Sequence, residues 1–166
     1  MAHSVLYKKL LNLSNMHANP SSLEEILAIR SPNAIHAWGH KYLVSRNTKL
    51  SEYMDNKTFQ AHLNSTGPYI RDSTSEVHAI IIDEHQRMSI IHMSYFLRPA
   101  QSNETVEQDL IWMLKFTDNK EVDKILIKES VEFIDAAASS RIGEIIRDIH
   151  GDLNEDVRGG ITLSGY

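Results

Sequence analysis

The sequence predicts a single α+β domain in which helices precede an antiparallel sheet. Apolar residues of the first half recur at helical spacing, whereas the second half contains segments rich in isoleucine, valine and aromatic residues. A last apolar stripe of helical period follows these segments. The 166 residues, 42% of them hydrophobic, suit one domain with its own core. We predict that this domain covers residues 1–150 and that the polar, glycine-rich residues 151–166 form a flexible tail.

Capping and breaking residues divide the first half into four predicted helices. Ser22 can cap a helix, Pro32 suits a first helical turn, and Gly39 suits a helix end. Residues 45–50 are predicted to be a polar loop. The predicted helices are an N-terminal one with the stripe Leu6, Leu10, Leu13 and His17, then Leu23 to Arg30, Ser31 to Gly39, and Leu50 to Leu63.

The second half is predicted to form four strands and a final helix. Polar turns at 84–86 and 118–121 and a longer loop at 99–105 separate the strands. Asp135 is placed to cap the final helix. The predicted strands are Ser75–Asp83, Arg87–Leu97, Val106–Thr117 and Val122–Phe133, and the helix stripe is Ile142, Ile145, Ile146 and Ile149.

The register of the last two strands decides which side chains share a face of the sheet. If these strands fold back on a tight turn at 118–121, residues whose numbers sum to about 240 lie opposite one another. Asp109 then lies beside Ser130 or Glu132, within about 5–8 Å. This face also carries histidines and lysines, whereas the other face is almost entirely apolar.

Two arrangements of these faces are open. In the first, the apolar face packs on the helices and the mixed face meets water. In the second, helices cover the mixed face and enclose a pocket, and the apolar face meets a second copy of the chain.

Ionisable residues of the mixed face are the first candidates for chemistry. Asp109 and Glu132 could form an acid/base pair in a cavity, since burial and mutual repulsion raise a carboxyl pKa. Alternatively, each acid forms a structural salt bridge with a neighbouring lysine. His92, in the middle of a strand, is either a proton relay or a structural residue.

Polar residues of the predicted helices are the second set of candidates. Arg30 could hold a carbonyl or carboxylate group, although such an arginine can also cap its own helix. His36 and His62 could donate hydrogen bonds into a pocket. His36 and His40 have the i, i+4 spacing of metal ligands, but the glutamate of the H-E-x-x-H motif and a third ligand are missing. We therefore expect no metal.

Composition argues against several other classes of protein. The net charge of −5 favours neither nucleic acid nor an anionic membrane as a partner. Cysteine is absent, which excludes disulfides and thiolate chemistry. No apolar run reaches the about 20 residues of a membrane span, and no signal-peptide or nucleotide-binding motif is present. We expect a cytoplasmic protein without a cofactor.

Several short segments resemble the SnoaL-like branch of the NTF2-like fold, and more narrowly the small fungal meroterpenoid isomerases of the terretonin and austinol pathways. The resemblance spans roughly residues 20–136. Gln108-Asp109-Leu110-Ile111 stands where relatives often carry Asn-Glu-Tyr-Met, so Asp109 replaces the commoner glutamate. The other segments that carry it are Ile29 to His36, Tyr53 to Phe59, Gly67-Pro68-Tyr69 and the ending Glu132-Phe133-Ile134-Asp135.

The resemblance implies a cone-shaped α+β homodimer, with N-terminal helices packed on a curved antiparallel sheet and a C-terminal helix. It also implies a cofactor-independent isomerase that rearranges a lactone or ester of a polycyclic, hydrophobic substrate. Asp109 and Glu132 would be the acid/base pair, with His92 as a possible relay. The substrate would contact Arg30, His36 and His62 through its oxygens, and the apolar walls would be Tyr69, Phe96, Ile111 and Met113.

Two other functions are compatible with the same pattern. One is a SnoaL-like polyketide cyclase that closes a ring by aldol chemistry. The other is a non-catalytic, dimeric binding module, which needs no paired acids in a cavity.

Overall fold

A computed structural model describes residues 3–50 and 53–166. The chain forms one five-stranded sheet with helices packed on one of its faces. The helices are α1 (Val5–Ala18), α2 (Leu23–Ala28), α3 (Lys41–Arg46), α4 (Asn56–Thr66) and α5 (Ala136–His150). The strands are β1 (Arg30–Trp38), β2 (Ile70–Asp83), β3 (Met88–Pro99), β4 (Val106–Phe116) and β5 (Ile127–Ile134).

The strand order is β1-β5-β4-β3-β2. Strands β2 to β5 form an antiparallel meander, and β1 adds to its edge in parallel with β5. β2 contains a register shift between Val77 and Ala79, of the kind that bends a strand. The predicted α+β class is confirmed.

Side-chain caps fix where α2 and α5 begin. The predicted caps are both confirmed: Ser22 accepts a hydrogen bond from the Glu25 amide, and Asp135 accepts from the amides of Ala137 and Ala138. Each cap satisfies backbone donors that the first turn of a helix leaves unpaired.

The prediction of a helix from Ser31 to Gly39 is wrong, because this segment is the edge strand β1. The amide and carbonyl of His36 exchange hydrogen bonds with Met54, and the strand pairs with β5 on its other side. Pro32 is compatible with an edge strand, where a missing amide donor costs little. Tertiary pairing therefore overrides a local pattern that suits a helix.

The sheet buries its apolar face under the helices, as in the first of the two arrangements. Leu10 and Leu13 of α1 pack with Ile91, Met93 and Leu110 of the sheet, and all five are at most 2% exposed. The second arrangement, in which helices cover the mixed face, is wrong. We call the face without helices the outer face; it carries Ile81, Ile111 and Asp109, all exposed.

The segment 151–166 lies against α5. Its side chains Val157, Ile161 and Leu163 are buried, and Arg147 of α5 donates hydrogen bonds to the carbonyls of Ile161 to Leu163. Within the described ranges, none of the helices has both the length and the apolar character needed to cross a membrane.

Candidate functional site

A cavity of about 320 Å³ lies between the helix-covered face of the sheet and the helices. Its volume is at the lower end of the range for small-molecule sites. Its walls are mostly apolar, with a few histidines and one carboxyl group. Its lining includes His17, Ile26, Trp38, Phe59, His62, Leu63, Tyr95, Leu97, Gln108, Trp112, Glu132, Ile134, Ser139, Ile142, Gly160 and Ile161.

Glu132 is the carboxyl group of this cavity. It lies in β5 between Trp38 of β1 and Trp112 of β4, and its side chain is 15% exposed. Burial raises its pKa from 4.5 to about 8, because the charged form loses its hydration. Glu132 is therefore mostly protonated at neutral pH and can donate a proton to a bound molecule.

Behind Glu132, a chain of hydrogen bonds determines which ring nitrogen of His36 carries a proton. The buried Arg30 donates from Nη1 to Oγ of Ser130, 2.9 Å away, and Ser130 lies 3.1 Å from Nδ1 of His36. An arginine can only donate, so the Ser130 hydroxyl accepts from Arg30; its own hydrogen has no other acceptor among the described residues, and we therefore assign it to Nδ1. The remaining proton of His36 therefore lies on Nε2, which is 3.9 Å from Oε2 of Glu132.

Burial keeps the histidines of this region neutral. It lowers the pKa of His17 to about 3 and that of His62 to about 4. The pKa of His36 falls well below 6.5, first through burial; a positive charge on His62, present only in acid, and the charge of Arg30 lower it further. Burial also lowers the pKa of Arg30, to about 10, which leaves this residue charged at neutral pH. The region therefore combines a protonated acid, neutral imidazoles and one cation.

Several buried polar atoms beside the cavity have no hydrogen-bond partner among the described residues. They include both ring nitrogens of His17, Nδ1 of His62, Nη2 of Arg30 and Nε2 of His36. Leaving such an atom unpaired costs about 1–3 kcal/mol. A bound molecule with several oxygens would remove this cost, since His17 and His62 both line the cavity.

Two other polar groups complete the lining. Burial raises the pKa of the Tyr95 phenol, and a negative charge on the nearby Glu132 would raise it further. Gln108 of β4 donates a hydrogen bond to Ser139 of α5, which ties the sheet to the last helix at the cavity wall.

The structure separates the two acids that the sequence analysis paired. Glu132 lies opposite Trp112, whereas Asp109 lies opposite Ser94 and points from the outer face. The prediction of a shared face is wrong because partners such as Trp112 and Glu132 have numbers that sum to 244 and not to about 240. A register in which these two residues are partners places Asp109 and Glu132 on opposite faces, since side chains alternate along a strand. The cause is a connection that is longer than the predicted tight turn, with a 3₁₀ turn at Val122–Lys124.

The outer face also carries most of the other residues predicted from the mixed face. His92 lies 2.7 Å from Asp109, and both are exposed. Phe96, Ile111 and Met113 lie on the same face and do not line the cavity. They share the face of the sheet that carries Asp109, so the prediction that they line the pocket is wrong.

The predicted residues of the first half lie at or beside the cavity, with one exception. His62 lines it, and His36 and Arg30 lie behind Glu132. Tyr69 is the exception: its hydroxyl accepts a hydrogen bond from the Asn154 amide and its ring contacts α5.

Sequence reasoning missed His17, Tyr95 and Ser130 as site residues. His17 had a detectable pattern, because it is a polar residue in an otherwise apolar helix stripe. Tyr95 and Ser130 had none, since their places depend on the sheet register.

The sequence matches no protein-family model and no curated protein. Solved structures do resemble this one. PrhC from Penicillium brasilianum NBRC 6234 superposes with a TM-score of 0.71 at 14% identity, over 88% of this chain and 93% of that one. BvnE pinacolase from Penicillium brevicompactum gives 0.70 at 14% identity, over 89% and 99%.

A protein with a ketosteroid isomerase-like fold from Catenulispora acidiphila gives a TM-score of 0.54 at 6% identity, over 74% of this chain and 82% of that one. These identities establish the fold and not the activity. The chain therefore has the NTF2-like fold, also called ketosteroid isomerase-like, which the short sequence segments predicted.

Proposed function

We propose that the protein is a cofactor-independent isomerase that rearranges a lactone or ester of a polycyclic meroterpenoid in this cavity. The observation that carries the proposal is Glu132, a buried and protonated carboxyl group in an apolar cavity lined by unpartnered histidines. Such a cavity binds a hydrophobic molecule and supplies one proton donor, which is sufficient for an intramolecular acyl shift.

The proposed reaction leaves the atoms and charges of the substrate unchanged. Glu132 donates its proton to the carbonyl oxygen while a hydroxyl group of the substrate attacks the carbonyl carbon. The proton of the attacking hydroxyl passes to the Glu132 carboxylate, which gives a neutral tetrahedral intermediate. When this intermediate collapses, Glu132 protonates the departing alkoxy oxygen, and its carboxylate regains the proton of the hydroxyl that becomes the new carbonyl. Each turnover therefore restores the protonated acid.

The polar chain behind Glu132 would support its charged form. The Nε2–H of His36 faces the carboxyl oxygen, and Arg30 polarises His36 through Ser130. These groups become more favourable as Glu132 loses its proton, so they stabilise the transition state more than the resting enzyme. His17 and His62 would hold other substrate oxygens.

The activity test compares Glu132→Gln with Asp109→Asn, a matched loss of a carboxylate on the outer face. Purified variants are incubated with candidate meroterpenoid lactones, and products are identified by NMR. We expect Glu132→Gln to lose about 10²–10⁴-fold in rate and Asp109→Asn to stay near wild type. Equal rates for wild type and Glu132→Gln, with both proteins folded, would show that this acid is not the proton donor.

A pinacol-type rearrangement is a second candidate, because BvnE pinacolase has the same fold. The same acid would protonate a hydroxyl group, which leaves as water while a neighbouring group migrates; the adjacent hydroxyl becomes a carbonyl and returns its proton to the carboxylate. The product mass separates the two reactions: it equals the substrate mass for an isomerase and is lower by one water molecule for a pinacol-type reaction.

We also propose a homodimer formed through the outer face. An apolar row crosses the five strands there, and monomeric proteins rarely expose so continuous a patch. The row consists of Ile35, Ala37, Val131, Phe133, Ile111, Met113, Ile90 and Ile81. The substitution Ile111→Asp places a charge at the centre of the row and should give a monomer in analytical ultracentrifugation. A wild-type protein that is monomeric at micromolar concentration would contradict the proposed homodimer. The cytoplasmic location stays a prediction.

A further inference from the structure

The outer face carries a cluster of metal-ligating side chains that the proposed reaction does not use. His78 of β2, His92 of β3 and Asp109 of β4 belong to three adjacent strands. One ligand atom from each residue lies within 4.8 Å of the other two. The two imidazole rings are 4.8 Å apart, and Nε2 of His92 is 2.7 Å from Oδ1 of Asp109.

The charge around this cluster is negative. Glu107 and Asp135 border the same depression, and Glu76 lies 3.8 Å from Nδ1 of His78. The lining of the depression contains neither lysine nor arginine. Carboxylates gathered without a cation repel one another, so a divalent cation at this place would be attracted.

A hydrogen-bonded chain prepares His78 to act as a ligand. Ser94, which is fully buried, donates to Oε1 of Glu107 at 2.8 Å and lies 2.9 Å from Nε2 of His78. Since the serine hydrogen is given to Glu107, Nε2 of His78 must be the donor in the second bond. Nδ1 is then the nitrogen left available to an ion, and metal-ligating histidines are commonly held in this way through their other nitrogen.

We propose that His78, His92 and Asp109 bind a divalent transition-metal ion of the zinc type. Two imidazoles favour such an ion over magnesium or calcium, which prefer oxygen ligands. Ligand atoms around tetrahedral zinc are about 3.4 Å apart, given bonds of about 2.0–2.1 Å. In the structure the three ligand atoms lie within 4.8 Å of one another. Rotation of the side chains would bring them to about 3.4 Å, while the strands hold the backbone positions. When the ion binds, it takes the place of the Nε2 proton of His92, which passes to solvent, and metal bonds replace the His92–Asp109 hydrogen bond.

The bound ion would join β2, β3 and β4 at the outer face. It would therefore stabilise the meander independently of the cavity on the opposite face. This inference does not depend on the proposed isomerase activity.

The test is a Co²⁺ titration of protein that carries no histidine tag and has been treated with a chelator, followed by competition with Zn²⁺. We expect one Co²⁺ per chain, visible absorption of the tetrahedral type, and displacement of Co²⁺ by Zn²⁺. His92→Ala and His78→Ala should each weaken binding by at least about tenfold. His85→Ala is the matched control, because His85 is an exposed histidine in the β2–β3 turn and should leave the affinity unchanged.

A second measurement protects the test against variants that misfold. Zn²⁺ should raise the melting temperature of the wild type and of His85→Ala, and it should leave that of His92→Ala unchanged. Equal affinities for wild type and His92→Ala overturn the proposal. One ion per two chains together with metal-dependent dimerisation also overturns it, because the ion would then bridge two copies.

Discussion

The pH dependence of stability should change when Glu132 is replaced by glutamine. Glu132 has a pKa of about 8 in the folded chain and an ordinary value of 4.5 when exposed. Between these values the folded protein holds a proton that the unfolded chain has released. Stability from this group is therefore complete below about pH 4.5 and is lost as the pH rises to about 8.

The size of this loss follows from the shift. Each unit of pKa difference corresponds to 1.36 kcal/mol, so the shift gives at most about 5 kcal/mol. The side chain is 15% exposed, and water in the cavity would reduce the effect to about 3–5 kcal/mol. A glutamine at position 132 has a similar shape but does not titrate, so its contribution to stability does not depend on pH. The variant should therefore gain stability relative to the wild type as the pH rises, although the buried histidines make both proteins less stable in acid.

The assay is urea unfolding of wild type and Glu132→Gln across about pH 5 to pH 8.5, with the free energy of unfolding extrapolated to water. Taking the difference between the two proteins removes the contribution of every group that they share. Glu155→Gln, at an exposed acid of the C-terminal segment, is the control and should give a difference that hardly changes with pH. A pH-independent difference for Glu132→Gln would refute the assignment of a buried, protonated carboxyl group.

Two further predictions concern residues around this acid. Ser130→Ala removes the hydroxyl that sets the His36 proton on Nε2, so we expect a rate loss of about 10–100-fold with little change in KM, measured by steady-state kinetics. Normal turnover by this variant would exclude the hydrogen-bond chain from catalysis. Gly159→Ala should destabilise the fold by about 1–3 kcal/mol more than Gly151→Ala in thermal unfolding, since both glycines have positive φ but an added Cβ at 159 would lie 2.6 Å from His62. Equal losses would show that backbone strain alone is responsible.

The fold class could be predicted because the spacing of apolar residues along a helix or strand indicates which of its sides is buried. The stripe Leu6, Leu10 and Leu13 and the alternation along β3 and β4 are local patterns, and both agree with the structure. Strand β1 could not be predicted in this way, because its pairing partner β5 lies about 95 residues further along the chain. A proline and spaced histidines suit a helix locally, and only the partner strand decides otherwise.

The site was predictable in part for the same reason. Glu132, His36 and His62 are polar residues in predicted elements that are otherwise largely apolar, and this setting contributed to their selection as candidates. Asp109 could not be placed correctly, because its face depends on the length of the β4–β5 connection and not on its neighbours in sequence. The register of β4 and β5 therefore decides whether Asp109 contacts His92 on the outer face or lies beside Glu132.

The segment 151–166 supplies part of the cavity wall through Gly160 and Ile161. The proposed proton donor, Glu132, lies by contrast on the sheet, and these two parts of the cavity wall are joined mainly through α5. Selectivity for substrate shape can therefore vary without altering the reaction chemistry. Under the proposed function, a larger or smaller side chain at Ile161 would change which ring systems fit, while Glu132 would remain the proton donor.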